Sequence, residues 1–298
     1  YKNQPELIYG NTLYQYSYLA EQYPNRIEWD IEKLLMVTID IETECENGFP
    51  NVEDAIEKLI SITIKNHQSK EIIVWGVGRF TTNRDDVHYV KCDNEQHLIK
   101  QFLMFWERNQ PDIITGWNTE FFDIPYLVNR IRAVLGEKMV NKLSPWGWYK
   151  ENEITLVGGR KQQVYDIVGV SSIDYMDCYT KFTYRNHESF ALNHIAYVEL
   201  GEKKLDYSEV STLHELYRTN FQKFIDYNVK DVILVERIEQ KLKVLEMVIS
   251  LAYMAKINYN DVFSPVKMWD MIIYNHLRDQ QIVIPQKKHE DKSGAYEG

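Results

Sequence analysis

The run LLMVTIDIE, Leu34 to Glu42, constrains the fold of this chain more than any other segment. Continuous apolarity over that length is what a central β-strand covered on both faces shows. Its last turn of sequence is unlike a core, because it carries Asp40 and Glu42. Residues two apart on a strand share a face, about 6.6 Å from one another along it. At an effective dielectric of ~20, two carboxylates at that distance repel by roughly 2.5 kcal/mol before any desolvation. That is a large fraction of the ~5–15 kcal/mol by which domains are stable. Either the strand runs out into solvent at this point, where D-x-E is unremarkable, or a hard divalent cation with oxygen ligands offsets the repulsion.

The pattern around this strand specifies a layered α/β fold. LISITIK (Leu59 to Lys65) and EIIVWGVG (Glu71 to Gly78) read as neighbouring strands joined by a polar turn. Leu98, Phe102, Leu103 and Trp106 recur at helical spacing from Glu95 until Pro111 stops the segment. DIITGW (Asp112 to Trp117) is a short buried strand, and Leu127, Ile131, Val134 and Leu135 mark a helix closed by Gly136. Three strands followed by helix, strand and helix predict a mixed sheet flanked by helices. ITLVGGRKQQVYDI (Ile154 to Ile167) has two extended arms about Gly158-Gly159 and reads as an exposed hairpin. Thr212 with Glu215 forms a capping box that opens a helix carrying Leu216, Phe224, Ile225, Val232 and Val235. A second helix continues to about Ala255, and SPVKMWDMIIYNHLRDQ forms one more, ending before Pro285.

Two further positions carry chemistry. Asp123 follows the Asp112 strand and precedes Pro125, where an Asp serves as a helix N-cap. The same position, at the C-terminal end of a strand, is where open α/β sheets place their ligands. Tyr227 and Asp231 are four apart on a helix and share a face, with Cβ atoms ~5–6 Å apart. They form either a surface pair or two groups delivered to one point across the sheet. D-x-E on a strand, Asn118 and Asp123 after a second strand, and Y-x3-D on a late helix occur here in that order. Four carboxylates and a phenol meet the needs of two-metal phosphodiester hydrolysis, in which two cations stabilise the attacking and leaving oxygens.

At these residues the chain resembles a known family. TIDIETECENGFP, TGWNTEFFDIPYLVNRI and IDYNVKDVILV are similar to the three exonuclease motifs of family B DNA polymerases, above all those of T-even-type bacteriophages. IDYMDCYTKF, LGEKKLDY, VFSPVKMWD and the hairpin extend the likeness over almost the whole chain. The resemblance implies a ribonuclease H-like (DnaQ-like) fold, a mixed five-stranded sheet flanked by helices with an inserted β-hairpin. It implies 3′→5′ proofreading exonuclease activity, with two magnesium or manganese ions held by Asp40, Glu42, Asp123 and Asp231, and Tyr227 beside them. It also implies that Phe49 wedges among the bases of a frayed 3′ end, while Asn118 and Phe122 contact the terminal nucleotide. Phe49 and Phe122 read equally as loop and core residues. Lys204 matches a lysine near the scissile phosphate, and the Gly158-Gly159 hairpin matches one that helps separate primer from template.

The palm motifs DxxSLYP and YGDTDS do not occur in the sequence, so polymerisation is not expected of this chain alone. The resemblance divides the sequence into an N-terminal-domain remnant (1–34), an exonuclease domain (35–244), a helical return to the N-terminal domain (245–288) and the opening of a palm domain (289–298). Both ends then read as cuts in a longer polypeptide, and a separate palm, fingers and thumb polypeptide becomes a candidate partner. Net charge of −10 disfavours a broad basic surface for coating DNA. A nuclease that gathers acids around cations and grips a few nucleotides remains compatible with it. Three scattered cysteines form no zinc pattern, which suits reduced thiols in a cytoplasm, and no apolar run is long enough to span a membrane. The rival readings are a DNA-binding or polymerase-docking module with negligible hydrolysis, and a stand-alone exoribonuclease.

Overall fold

In the computed structural model of the chain, the apolar run becomes β1 (Met36–Thr43), in the interior of a mixed sheet. The structure describes residues 13–45, 48–155, 158–159, 161–202 and 213–283. β1 pairs antiparallel with β2 (Leu59–Asn66), which pairs antiparallel with β3 (Ile72–Gly76). β4 (Val87–Lys91) lies parallel to β3 at one edge. On the other side of β1, β5 (Ile113–Gly116) and then β8 (Ser171–Asp174) run parallel to it. The spatial order is β4-β3-β2-β1-β5-β8. The sheet thus has six strands where five were expected. The edge strands account for the difference: VHYVK is half-exposed, and SSID is only four residues, so neither carries a long apolar run. β6 (Tyr149–Thr155) and β7 (Lys161–Ile167) form the separate two-stranded hairpin. Its first arm begins at Tyr149, five residues before the Ile154 expected from the sequence.

Side-chain alternation then divides the sheet into two faces. Val37, Ile39 and Ile41 of β1 and Ile62 and Ile64 of β2 cluster with α2 (Glu95–Trp106) and α3 (Asp123–Leu135). Asn94 caps α2 by accepting the His97 N–H at 2.9 Å, and Leu98, Phe102 and Trp106 form its buried stripe. Glu95 ties the layer together: it accepts Leu59 N at 2.8 Å and a bidentate pair from Arg130 of α3 at 2.6 and 2.7 Å. Such a half-exposed or buried pair is worth keeping only with its hydrogen bonds satisfied, as they are here.

The other face carries Thr38, Asp40 and Glu42 of β1 and Ser61, Thr63 and Lys65 of β2. It is covered by α8 (Phe221–Leu242), whose Phe224, Ile225, Val229 and Val232 pack with Ile72 and Val74. The polar residues of β2 on this face are buried along with its apolar ones. α8 makes this tolerable by supplying partners: Asn228 to Ser61 and Thr63, and Glu236 to Lys65 at 3.1 Å. The single helix expected from Thr212 onward is divided. α7 (Leu213–Thr219) gives way at Asn220, whose non-helical backbone and side chain, accepting Lys223 N at 3.0 Å, start α8 afresh. Thr212 lies outside the described residues. The remaining helices of this region are α4 (Glu137–Val140), α5 (Tyr175–Phe182) and α6 (Leu192–Leu200).

The chain divides by contact into Asp30–Met247 and a second unit of Tyr1–Trp29 with Val248–Gly298. The boundary falls within α9 (Val244–Ala255). In the second unit, which contains α1 (Tyr14–Gln22) and α10 (Pro265–Asp279), the two sequence-distant parts are joined by a ring stack and hydrogen bonds. Trp29 stacks on Tyr253 with centroids 5.3 Å apart, Tyr16 donates to Asp261, and Lys256 donates to the carbonyl of Pro24 at 3.0 Å.

Candidate active site

Three acids from the two ends of the sequence meet on the α8 face of the sheet. Ligand oxygens of Asp40, Glu42 and Asp231 all lie within 4.8 Å of one another. β1 supplies the first two because i and i+2 share a face, and α8 supplies the third from its buried side. At 4.8 Å and an effective dielectric of ~20, each ionised pair repels by on the order of 3 kcal/mol. Carboxylates held this close against one another are a donor set that a hard divalent cation satisfies and stabilises. The residues present therefore fit such an ion.

Asp123 does not join this group of three. It is the first residue of α3 rather than its N-cap; that place is taken by Phe122, whose side chain makes no capping bond. The Asp123 carboxylate instead accepts the backbone N–H of Ile41, the residue between Asp40 and Glu42, at 2.9 Å. Burial pushes its carboxyl up to about 7, against the pull of the Ile41 N–H, and the negative charges of Asp174 and Asp231 add to the rise. The approach of β5 to β1 that brings Asp123 here depends on Gly116. A Cβ at that position would stand 2.6 Å from the Ile39 carbonyl oxygen and against the Thr119 methyl.

Tyr227 is buried on α8, one turn before Asp231. Phe49 is 83% exposed, and its ring lies 5.0 Å from that of Phe122, which in turn packs on Tyr126 at 5.6 Å. Asn118 adopts a left-handed backbone, φ +66°, in the loop that leads from β5 to Asp123. Gly158 and Gly159 turn the β6–β7 hairpin with φ of +94° and +82°, and nothing approaches the place of a Cβ at either. Lys204 lies outside the described residues.

Two buried polar residues at the site were not singled out from the sequence. Asn228, next to Tyr227, is fully buried; its Nδ2 donates to Asp40, and its Oδ1 accepts from Ser61 Oγ at 3.1 Å and from Thr63 Oγ1. Asp174 caps α5 by accepting Met176 N at 2.8 Å. Its two oxygens also accept Asn118 N at 3.1 Å and Glu120 N at 3.0 Å, holding the loop that carries Asn118. The signal for Asp174 is a cap position at the end of β8; the signal for Asn228 is an amide on the buried side of α8. Neither spacing tells which partner is met.

The family profile described as DNA polymerase family B, exonuclease domain, matches residues 8–195. The DNA-directed DNA polymerase of Escherichia phage RB69 is 33% identical over 298 residues, covering 92% of this chain and 33% of that protein. The DNA-directed DNA polymerase of Enterobacteria phage T4 is 40% identical over 203 residues, covering 68% of this chain and 22% of that protein. The DNA polymerase delta catalytic subunit of Candida albicans is 27% identical over 298 residues, covering 93% and 28%. The chain thus spans a third or less of the length of these relatives. A ribonuclease H-like sheet, an acidic cluster at its centre and a family match over more than half of the residues lead to one conclusion: the chain belongs to the exonuclease-domain family of family B DNA polymerases.

Proposed function

We propose that this chain is a 3′→5′ proofreading exodeoxyribonuclease that removes nucleoside 5′-monophosphates one at a time from a single-stranded or frayed DNA end. The observation that carries the proposal is the convergence of Asp40, Glu42 and Asp231 within 4.8 Å. Two magnesium or manganese ions held by Asp40, Glu42, Asp123 and Asp231 would lower the pKa of the attacking water and stabilise charge on the attacking and leaving oxygens. The chain's own groups do the positioning. Glu42 and Tyr227 orient the water for attack on the terminal phosphorus; the P–O3′ bond breaks, and the shortened strand keeps the 3′ oxygen as a hydroxyl. Asp123 holds the β1 backbone between the two acids through Ile41. Phe49, with Phe122 behind it, offers a ring to unpaired bases, a sequence-tolerant form of recognition. Asn118 contacts the terminal nucleotide and the Gly158-Gly159 hairpin meets the template side, while the phosphate-side role that the family resemblance gives Lys204 falls on a residue outside those described.

In this reading the exonuclease domain of residues 35–244 lies within the compact unit Asp30–Met247, its substrate is a primer–template end, and a separate palm, fingers and thumb polypeptide is a candidate partner. The chain would work in the host cytoplasm if phage-encoded. Among the described residues no helix is long and apolar enough to cross a membrane.

Timed digestion of a 5′-labelled oligonucleotide, single-stranded or with a mismatched primer end, tests the proposal. Ladders shortening from the 3′ end with magnesium, and none with chelator, are expected. Asp40→Ala or Asp123→Ala should abolish them, and undiminished digestion by either purified variant would sink the assignment. Tyr227→Phe removes one hydroxyl and should slow digestion by roughly 10²-fold, the scale of a group that handles or orients a proton, while cation binding stays intact. RNA of the same sequence should be a poor substrate.

A further inference from the structure

We infer that Asn228 is a positioning residue for the candidate cation site: its carboxamide fixes the Asp40 carboxylate, and Ser61 and Thr63 fix the carboxamide. The inference rests on the metal-dependent reading above and assigns a role to three residues outside the acidic cluster.

Hydrogen-bond polarity makes the arrangement one-directional. An ionised carboxylate only accepts, so the amide must turn Nδ2 toward Asp40. Oδ1 then points the other way, where it accepts from Ser61 Oγ at 3.1 Å and from Thr63 Oγ1. Reversing the amide would set Oδ1 against the Asp40 oxygen, acceptor against acceptor, while the hydroxyls lose the acceptor they share. Both ends of the network therefore select the same rotamer.

The sequence spacing that produces this is local on each element. Ser61 and Thr63 are two apart on β2 and share a face; across the ladder they are the register partners of Glu42 and Asp40. Asn228 is three residues before Asp231 on α8, on the same side of the helix. One amide thus links β1, β2 and α8 at the point where their acids converge. Ser61, Thr63 and Asn228 are each fully buried. Three polar side chains in such a place would cost stability if unpaired, and here they satisfy one another and Asp40. With one Asp40 oxygen held, its carboxylate keeps its orientation toward Glu42 and Asp231 although all three repel. Residues behind metal ligands commonly act in this way, and losing one costs about 10–100-fold in metal affinity.

Manganese binding to the 298-residue chain, read from the electron paramagnetic resonance signal of free Mn²⁺, tests the role without relying on turnover. The variants are Asn228→Ala, the double variant Ser61→Ala/Thr63→Val, and Asp40→Asn as reference. Asn228→Ala should bind Mn²⁺ about tenfold or more weakly, and its nuclease activity should shift to higher metal concentration rather than fall uniformly. The double variant leaves Asn228 in place but unoriented. It should weaken binding in the same direction, and because Asn228 Oδ1 is left without its donors its thermal midpoint in chelator should fall while unfolding stays cooperative. Parent-like Mn²⁺ affinity in that double variant would overturn the inference, and it decides the matter even if Asn228→Ala fails to fold. If Asp40→Asn also binds Mn²⁺ as the parent does, the metal reading of the cluster falls, and the role of Asn228 with it. If only Asp40→Asn loses affinity, the cluster stands and Asn228 is merely a core residue.

Discussion

The carboxylate of Asp123 and the backbone N–H of Ile41 are joined at 2.9 Å, so an acid on α3 holds the strand segment that separates Asp40 from Glu42. Asp123 therefore has two separable properties at this site, an acceptor for β1 and a negative charge. Asp123→Asn keeps an acceptor oxygen and removes the charge. The chain should remain folded with a thermal midpoint at or above that of the parent, while magnesium-dependent digestion falls by orders of magnitude. Asp123→Ala removes both and strands the Ile41 N–H, costing about 1–3 kcal/mol in a denaturant titration. Equal stability of the two variants would contradict the structural half of this account.

Gly116→Ala should act on the same region from β5. The added methyl meets the Ile39 carbonyl oxygen at 2.6 Å, and that atom belongs to the backbone beside Asp40. Overpacking of this kind costs roughly 1–3 kcal/mol, because β1 and β5 must separate. Lower denaturation midpoint and reduced nuclease activity are expected together; a variant with parent stability would show that the strands yield freely.

Phe49→Ala should leave stability alone, since its ring is 83% exposed, and should weaken substrate capture. Base stacking on an aromatic ring is worth about 1–3 kcal/mol, so the KM for a single-stranded oligonucleotide should rise about tenfold. kcat on a saturating single strand should hold. A drop in kcat with unchanged KM would place Phe49 outside the binding path.

Asp174 gives the metal-free chain a pH dependence of known sign. Burial pushes its carboxyl up to about 7, against the hydrogen bonds from Glu120, Asn118 and Met176. An unfolded Asp titrates near ~3.9, so between roughly pH 4 and 7 the folded state holds a proton that the unfolded state has released. Its contribution is full below that window and is lost as pH rises through it. His67 works in the opposite sense: burial lowers its pKa to about 4, so stability is lost as pH falls from ~6.5 toward that value. Denaturant titrations in chelator at pH 5 and pH 8 should show a smaller loss on raising the pH for Asp174→Asn than for the parent. Identical differences would mean that Asp174 titrates near its ordinary value.

The central strand, its D-x-E pair, the strand–helix alternation and the register of Tyr227 with Asp231 are all legible in the amino-acid sequence. Each of these follows from a local period, two residues on a strand or nearly four on a helix, and from the chain's aversion to burying charge. It also carried the family, through motifs that occupy short contiguous stretches. The edge strands β4 and β8 escaped because a half-exposed or four-residue strand needs little apolar surface. The division of the expected long helix turned on a single capping amide, Asn220. That Asp40, Glu42 and Asp231 come together, that Asp123 turns to the Ile41 N–H and that Asn228 joins β1 to β2 comes from long-range packing. The Asp123–Ile41 and Asn228–Asp40 hydrogen bonds join residues 82 and 188 positions apart. No local period encodes them: they exist because α3 and α8 bury their apolar faces on opposite sides of one sheet, and the polar groups brought along must find partners there.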